Sequence, residues 1–149
     1  MDIQLGDVSH IIQLAIAPVF LLTGVGTKLA VLTNRLGRII DRSRILEDRM
    51  HSDGTFDPVD RDEITVLYQR GHLINRAIAL STACGLLVCL VIATLFVGDA
   101  LGLAFGKFIA SLFVLAMLSL IGSFYYFLRE IFIATATLTM RRPNFPRAD

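Results

Sequence analysis

The sequence predicts an all-α integral membrane protein: three transmembrane helices, the first two extended into a cytoplasmic antiparallel helical hairpin. Three observations predict it. Apolar residues make up 54% of the chain and charged residues only 18%, with a mean hydropathy of +0.65, too apolar for a soluble domain of 149 residues. Three apolar runs are each long enough to cross roughly 30 Å of hydrocarbon as a helix. The first two are joined by a charged segment whose apolar residues keep a heptad spacing.

Taken in order, the N-terminal "MDIQLGDVSH" carries Asp2 and Asp7 but no Lys or Arg. A cleavable secretion signal begins with positive charge, so the first span is expected to stay attached. That span covers about 11–33 and contains Pro18, which a membrane helix tolerates. Lys28 lies near its end, within snorkelling reach of the headgroups. The second and third spans, about 77–97 and 108–128, are linked by the short, glycine-rich "GDALGLAFGK", which predicts a tight turn between them. Cys84 and Cys89, five residues apart on different helix faces, read as small buried residues. Beyond the third span "REIFIATATLTMRR" keeps helical character over about 129–141 until "PNFP" stops it. The whole chain forms one membrane domain.

Lys and Arg outside the spans set the orientation. None precedes the first span, eight (Arg35, Arg38, Arg42, Arg44, Arg49, Arg61, Arg70 and Arg76) lie between the first and second, Lys107 alone lies between the second and third, and four follow. By the positive-inside rule the middle segment and the C-terminal tail are cytoplasmic and the N-terminus is outside.

The middle segment, about 34–76, opens with "LTNRLGRIIDRSRILEDRM". Its apolar seam runs Leu32, Leu36, Ile39, Ser43, Leu46, Met50, while Arg38, Asp41, Arg44, Glu47 and Asp48 alternate in sign at helical spacing, as on a solvated face. Gly54 ends this helix. Asp57 as N-cap, Pro58 at the first helical position and Asp60 beyond it start the next. A second seam follows through Ile64, Leu67, Gly71, Ile74 and Ile78. Folding the helices back on each other pairs Leu46 with Ile64, Ser43 with Leu67, Ile39 with Gly71, Leu36 with Ile74 and Leu32 with Ile78. In that register the large Ile39 faces the side-chain gap at Gly71, and the point where the chain leaves the membrane lies opposite the point where it returns.

The stretches "LAIAPVFLLTGVGTKLAVLTNRLGRIIDRSRILE", "HLINRAIAL" and "FLREIFIATATL" together resemble a family of small bacterial membrane proteins known as domain of unknown function 2721. The likeness covers most of the chain, apart from its ends and the loop around Gly54. It implies three helices in a bacterial cytoplasmic (inner) membrane and supplies no activity.

Function must therefore be argued from residues. A formal net charge of +1, with both signs intermixed, speaks against nucleic-acid binding. The chain has no HExxH, GxSxG or GxxxxGK[ST] pattern, and its histidines, His10, His51 and His72, are scattered. No catalytic residue, metal site or cofactor is expected. Spans two and three carry no charge at their centres, and no inverted repeat is present to build a carrier.

What remains is a polar stripe on span one, Thr23, Thr27, Ala30 and Asn34, beside Gly24 and Gly26. It reads either as a helix-packing face or as a pore wall whose hydroxyls replace part of an ion's hydration shell. In the second case Arg35, Arg38 and Arg42 are candidates for the inner mouth, or for contact with a partner. Ser111, Ser119, Gly122 and Ser123 would then form a packing face between subunits. Three spans cannot enclose a water-filled path, so a pore requires a homo-oligomer. Two functions are carried forward: a homo-oligomeric channel for small inorganic ions, and a non-conducting scaffold that binds a partner through the charged hairpin. The lipid bilayer is a partner in both.

Overall fold

The computed structural model describes residues 5–52, 58–102 and 105–140, with side chains over 9–51, 61–102 and 105–136. All regular structure among the described residues is α-helical: α1 (Leu5–Ser52), α2 (Pro58–Ala100) and α3 (Gly106–Met140). Each contains a stretch long and apolar enough to cross a membrane. At 1.5 Å per residue, the 48 residues of α1 extend about 70 Å, more than twice the hydrocarbon thickness. A single unbroken helix thus joins span one to the charged segment, passing through Pro18 on the way.

Pro58 is the first residue of α2. Gly54, Asp57 and the side chain of Asp60 lie outside the described residues. At its other end α2 runs past Gly98, where the connection to span three was expected to begin, and stops at Ala100. Leu101 N donates to the Val97 carbonyl and Gly102 N to the Asp99 carbonyl, both at 3.0 Å. The helix end is decided by Gly102 at φ 65°, a left-handed conformation that costs glycine little.

Two clusters of buried side chains follow α2 along its length. Near the charged end, Leu32, Ile39 and Leu46 of α1 pack with Leu67, Ile74 and Ala77 of α2, flanked by Leu36, Ile64, Ile78, Tyr126 and Phe127. Deeper in the spans, Val25, Cys84, Val88 and Ala116 bring all three helices together. Val25 lies 3.8 Å from the position a Gly85 Cβ would take, and Ile39 lies 3.8 Å from that of Gly71.

Two expectations are corrected. Cys84 is buried, but Cys89 is exposed; five residues rotate a helix by about 140°, so one cysteine inside puts the other outside. The small residues of span three are not a face left for other subunits. Ser119 donates to the Leu80 carbonyl at 2.8 Å, Ser123 donates to the Ala77 carbonyl at 2.6 Å, and a Cβ on Gly122 would stand 3.2 Å from Leu80. They are how α3 docks on its own α2. Ser111 alone of that set is exposed, its hydroxyl turned to the Phe108 carbonyl.

Candidate functional site

The sole carboxylate between Asp99 and Asp149 is Glu130, and its side chain is fully buried. Arg35 of α1 donates from Nη1 to its Oε2 at 2.9 Å. Arg70 of α2 donates from Nε and Nη2 to its Oε1 at 3.0 and 2.9 Å. One carboxylate thus ties α3 to both helices of the charged segment. A buried carboxylate is tolerable only when its oxygens are satisfied this way, and no buried side-chain nitrogen or oxygen lacks a partner among the described residues.

Seven residues towards the membrane on α1 and α3 lies a second polar layer, which is two helical turns away and so on the same face. Here Lys28 of α1 donates to Ser123 Oγ at 2.8 Å, and Ser81 lies 2.7 Å from the same oxygen. Ser123 has a single proton and directs it to the Ala77 carbonyl, so Ser81 must be the donor in its contact. Both α1–α3 bonds join residues 95 positions apart, so these helices advance in step. Aromatic faces line the same groove. Lys28 Nζ sits 3.5 Å from the Phe124 ring centre and the Arg35 guanidinium 5.3 Å from that of Phe127, in cation–π range. The Lys28 ammonium, expected within snorkelling reach of the headgroups, lies between Ser123 Oγ and the Phe124 face.

Of the arginines proposed for an inner mouth or a partner, Arg35 belongs to the Glu130 clamp. Arg42 pairs with Glu63 at 2.8 Å, and Arg38 is exposed. The Arg42–Glu63 pair and the Tyr68 hydroxyl, which donates to Glu47 at 2.9 Å, cross between α1 and α2 beside the apolar seam. Hydrogen bonding to Glu47, reinforced by that group's negative charge, raises the Tyr68 pKa.

Thr23, Thr27, Ala30 and Asn34 are all exposed, on the side of α1 away from Val25, Leu32 and Ile39. Thr27 donates to the Thr23 carbonyl at 3.0 Å, and Thr23 to that of Val19 at 3.5 Å. Nothing stands within 4 Å of where a Cβ on Gly24 or Gly26 would be. The stripe is therefore not used to pack the helices of one chain.

Glu130, Arg70 and Ser81 were not singled out from the sequence as functional, and Ser123 was read only as part of a packing face between subunits. One signal was available: a lone glutamate at the end of a long apolar helix, with Ser123 seven residues before it, matches the spacing of Lys28 and Arg35 on α1.

A family model described as Protein of unknown function (DUF2721) matches residues 15–140. The chain belongs to that family. The DUF2721 match spans both polar layers, the α1 stripe and the seam between α1 and α2. No curated protein and no solved structure matches the chain.

Proposed function

We propose that this DUF2721 chain is a homo-oligomeric membrane protein whose copies meet along the Thr23, Thr27 and Asn34 face of α1 and enclose a path for small inorganic ions. The observation that carries the proposal is the exposure of that face. The chain's own core uses the opposite side of α1, and in a membrane a polar stripe beside small residues suits close contact between helices or a wetted wall. Because Thr23 and Thr27 spend their protons on their own helix, their oxygens offer lone pairs outward. With Arg35 held by Glu130 and Arg42 by Glu63, the inner-mouth role falls to Arg38. In this proposal α1 and α2 form an antiparallel hairpin on the cytoplasmic side, as the excess of arginine there suggests, with the N-terminus outside in a bacterial inner membrane. The chain acts without catalysis.

The decisive experiment is the mass of the detergent-solubilised particle. A closed ring of roughly four or more copies is expected, followed by ion flux in liposomes that Thr23→Trp blocks. A monomer or dimer, or flux that Thr23→Trp leaves unchanged, sinks the pore.

A second reading, a non-conducting scaffold, draws on a different observation. On the charged segment Leu36, Ile39, Ile40, Leu67 and Gly71 line an apolar groove, and Arg38 and Arg44 of the same helix as Leu36 are exposed. This reading predicts that Arg38→Glu with Arg44→Glu releases a partner that copurifies with the wild type while leaving assembly intact. Retention of that partner by the double variant counts against it.

A further inference from the structure

The groove between α1 and α3 at the charged end of the bundle is electrostatically unbalanced. Lys28, Arg35 and Arg70 lie along it with a single carboxylate, Glu130, which among the described residues bonds the two arginines. Lys28 has no acidic partner among the described residues; its contacts are Ser123 Oγ and the face of Phe124. A lysine ammonium has three donors and one is used here. Arg35 gives Glu130 one of its five N–H groups, and its side chain is 26% exposed.

The position of this excess charge selects the chemistry that would neutralise it. Lys28 lies seven residues, or about 10 Å, inward from Arg35 along α1, at the depth where the apolar span gives way to charge. Its flanks are exposed and apolar: Phe20 and Val31 on α1, Phe124 and Leu128 on α3. One turn deeper on the same face, Gly24 has open space where a Cβ would stand. A cationic group beside exposed apolar side chains matches an amphiphile with an anionic head.

We propose that this groove binds an anionic phospholipid of the leaflet at the charged end, its phosphate held by the free donors of Lys28 and an acyl chain lying past Gly24 against Phe20. The binding rests on the three helices being membrane spans, and on neither ion conduction nor the direction in which the chain faces. Attraction of anionic headgroups to a cation near the membrane surface contributes about 1 kcal/mol per Lys or Arg, or about fivefold in affinity.

The test is native mass spectrometry of the full-length protein titrated with phosphatidylglycerol or with phosphatidylcholine of the same chains. The wild type is expected to retain phosphatidylglycerol preferentially. Lys28→Gln, which can still donate to Ser123, is expected to lose about fivefold of that preference, and Lys28→Arg to keep it. Lys107→Gln, at the opposite end of the bundle, serves as control and should match the wild type. A wild type that retains both lipids equally overturns the proposal without reference to any variant. So does a preference that survives Lys28→Gln or disappears with Lys107→Gln. Inorganic phosphate is expected not to displace the lipid at matched concentration; displacement would assign the groove to free anions and overturn the lipid assignment.

Discussion

The two contacts that hold this bundle together are built from different chemistry. Where α1 meets α2 on the charged segment the contact is an apolar seam, with Leu32, Leu46 and Ile74 fully buried and the ionic contacts, Arg42 with Glu63 and Tyr68 with Glu47, beside it. Where α3 meets the other two helices, apolar packing around Ala116 is joined by hydrogen bonds within the spans, Ser119 and Ser123 to carbonyls of α2 and Lys28 to Ser123, and by the Glu130 clamp on two arginines at the charged end. The difference follows the solvent. The charged segment cannot lie in hydrocarbon, so water drives its leucines and isoleucines together, at about 1.5–3 kcal/mol for each side chain fully buried. Inside a bilayer lipid tails are as apolar as leucine, and helices associate through close packing and interhelical hydrogen bonds instead. An apolar seam tolerates small shifts, whereas a carboxylate shared by two arginines fixes both the rotation and the height of α3.

The sharpest way to break this arrangement is Glu130→Ala. It strands Arg35 and Arg70 around a missing carboxylate, and removing one partner of a buried ion pair costs about 3–5 kcal/mol. A large fall in the thermal midpoint of the detergent-solubilised protein is expected, and one no greater than that of an exposed substitution such as Thr27→Ala would show that the clamp does not hold α3. Ser123→Ala comes next. It deprives Lys28 and Ser81 of their common acceptor and should cost about 1–2 kcal/mol by the same measurement.

Smaller effects separate the two contacts through their glycines. Gly71→Ala places a methyl at ordinary contact distance, 3.8 Å from Ile39, and should stabilise the seam by up to about 0.5–1 kcal/mol through helix propensity. Gly122→Ala meets Leu80 at 3.2 Å, so Leu80 must give way and the gain should shrink or reverse. Equal gains at both sites would mean that the α2–α3 contact is no tighter than the seam.

The weakest effect belongs to Tyr68. Its raised pKa means that the protonated phenol favours the folded state. That contribution is present below the unfolded-state pKa of about 10 and is lost as pH rises through the higher folded value. In a spectroscopic titration Tyr68 should ionise at higher pH than in the Glu47→Gln variant, and coincident titrations would remove the Tyr68–Glu47 contact from the account.

Legibility in the sequence divides along the same line. Leu32, Leu36, Ile39 and Leu46 recur at heptad spacing, Ile64, Leu67, Gly71 and Ile74 continue it on the next helix, and both sets lie along the contact between α1 and α2. Periodicity reports the buried face of a helix from neighbours three and four residues away, which is local information. The α3 dock offered no such signal. Ser119, Gly122 and Ser123 stood out as a small-residue face, but composition alone does not say whether such a face serves its own chain or another, and Glu130 read only as the end of a span.

The sequence by itself determined that the protein has three membrane-spanning helices, that the first carries on as a charged helix, and which residues form its apolar edge. Each follows from length, hydropathy and the 3.6-residue repeat. The tertiary structure decided the partners: that Glu130 is shared by Arg35 and Arg70, that Lys28 meets Ser123, and that the Thr23, Thr27 and Asn34 face is left uncovered. Those bonds span 60 and 95 residues of sequence and exist only at one relative rotation and height of three long helices, a geometry that no local pattern encodes.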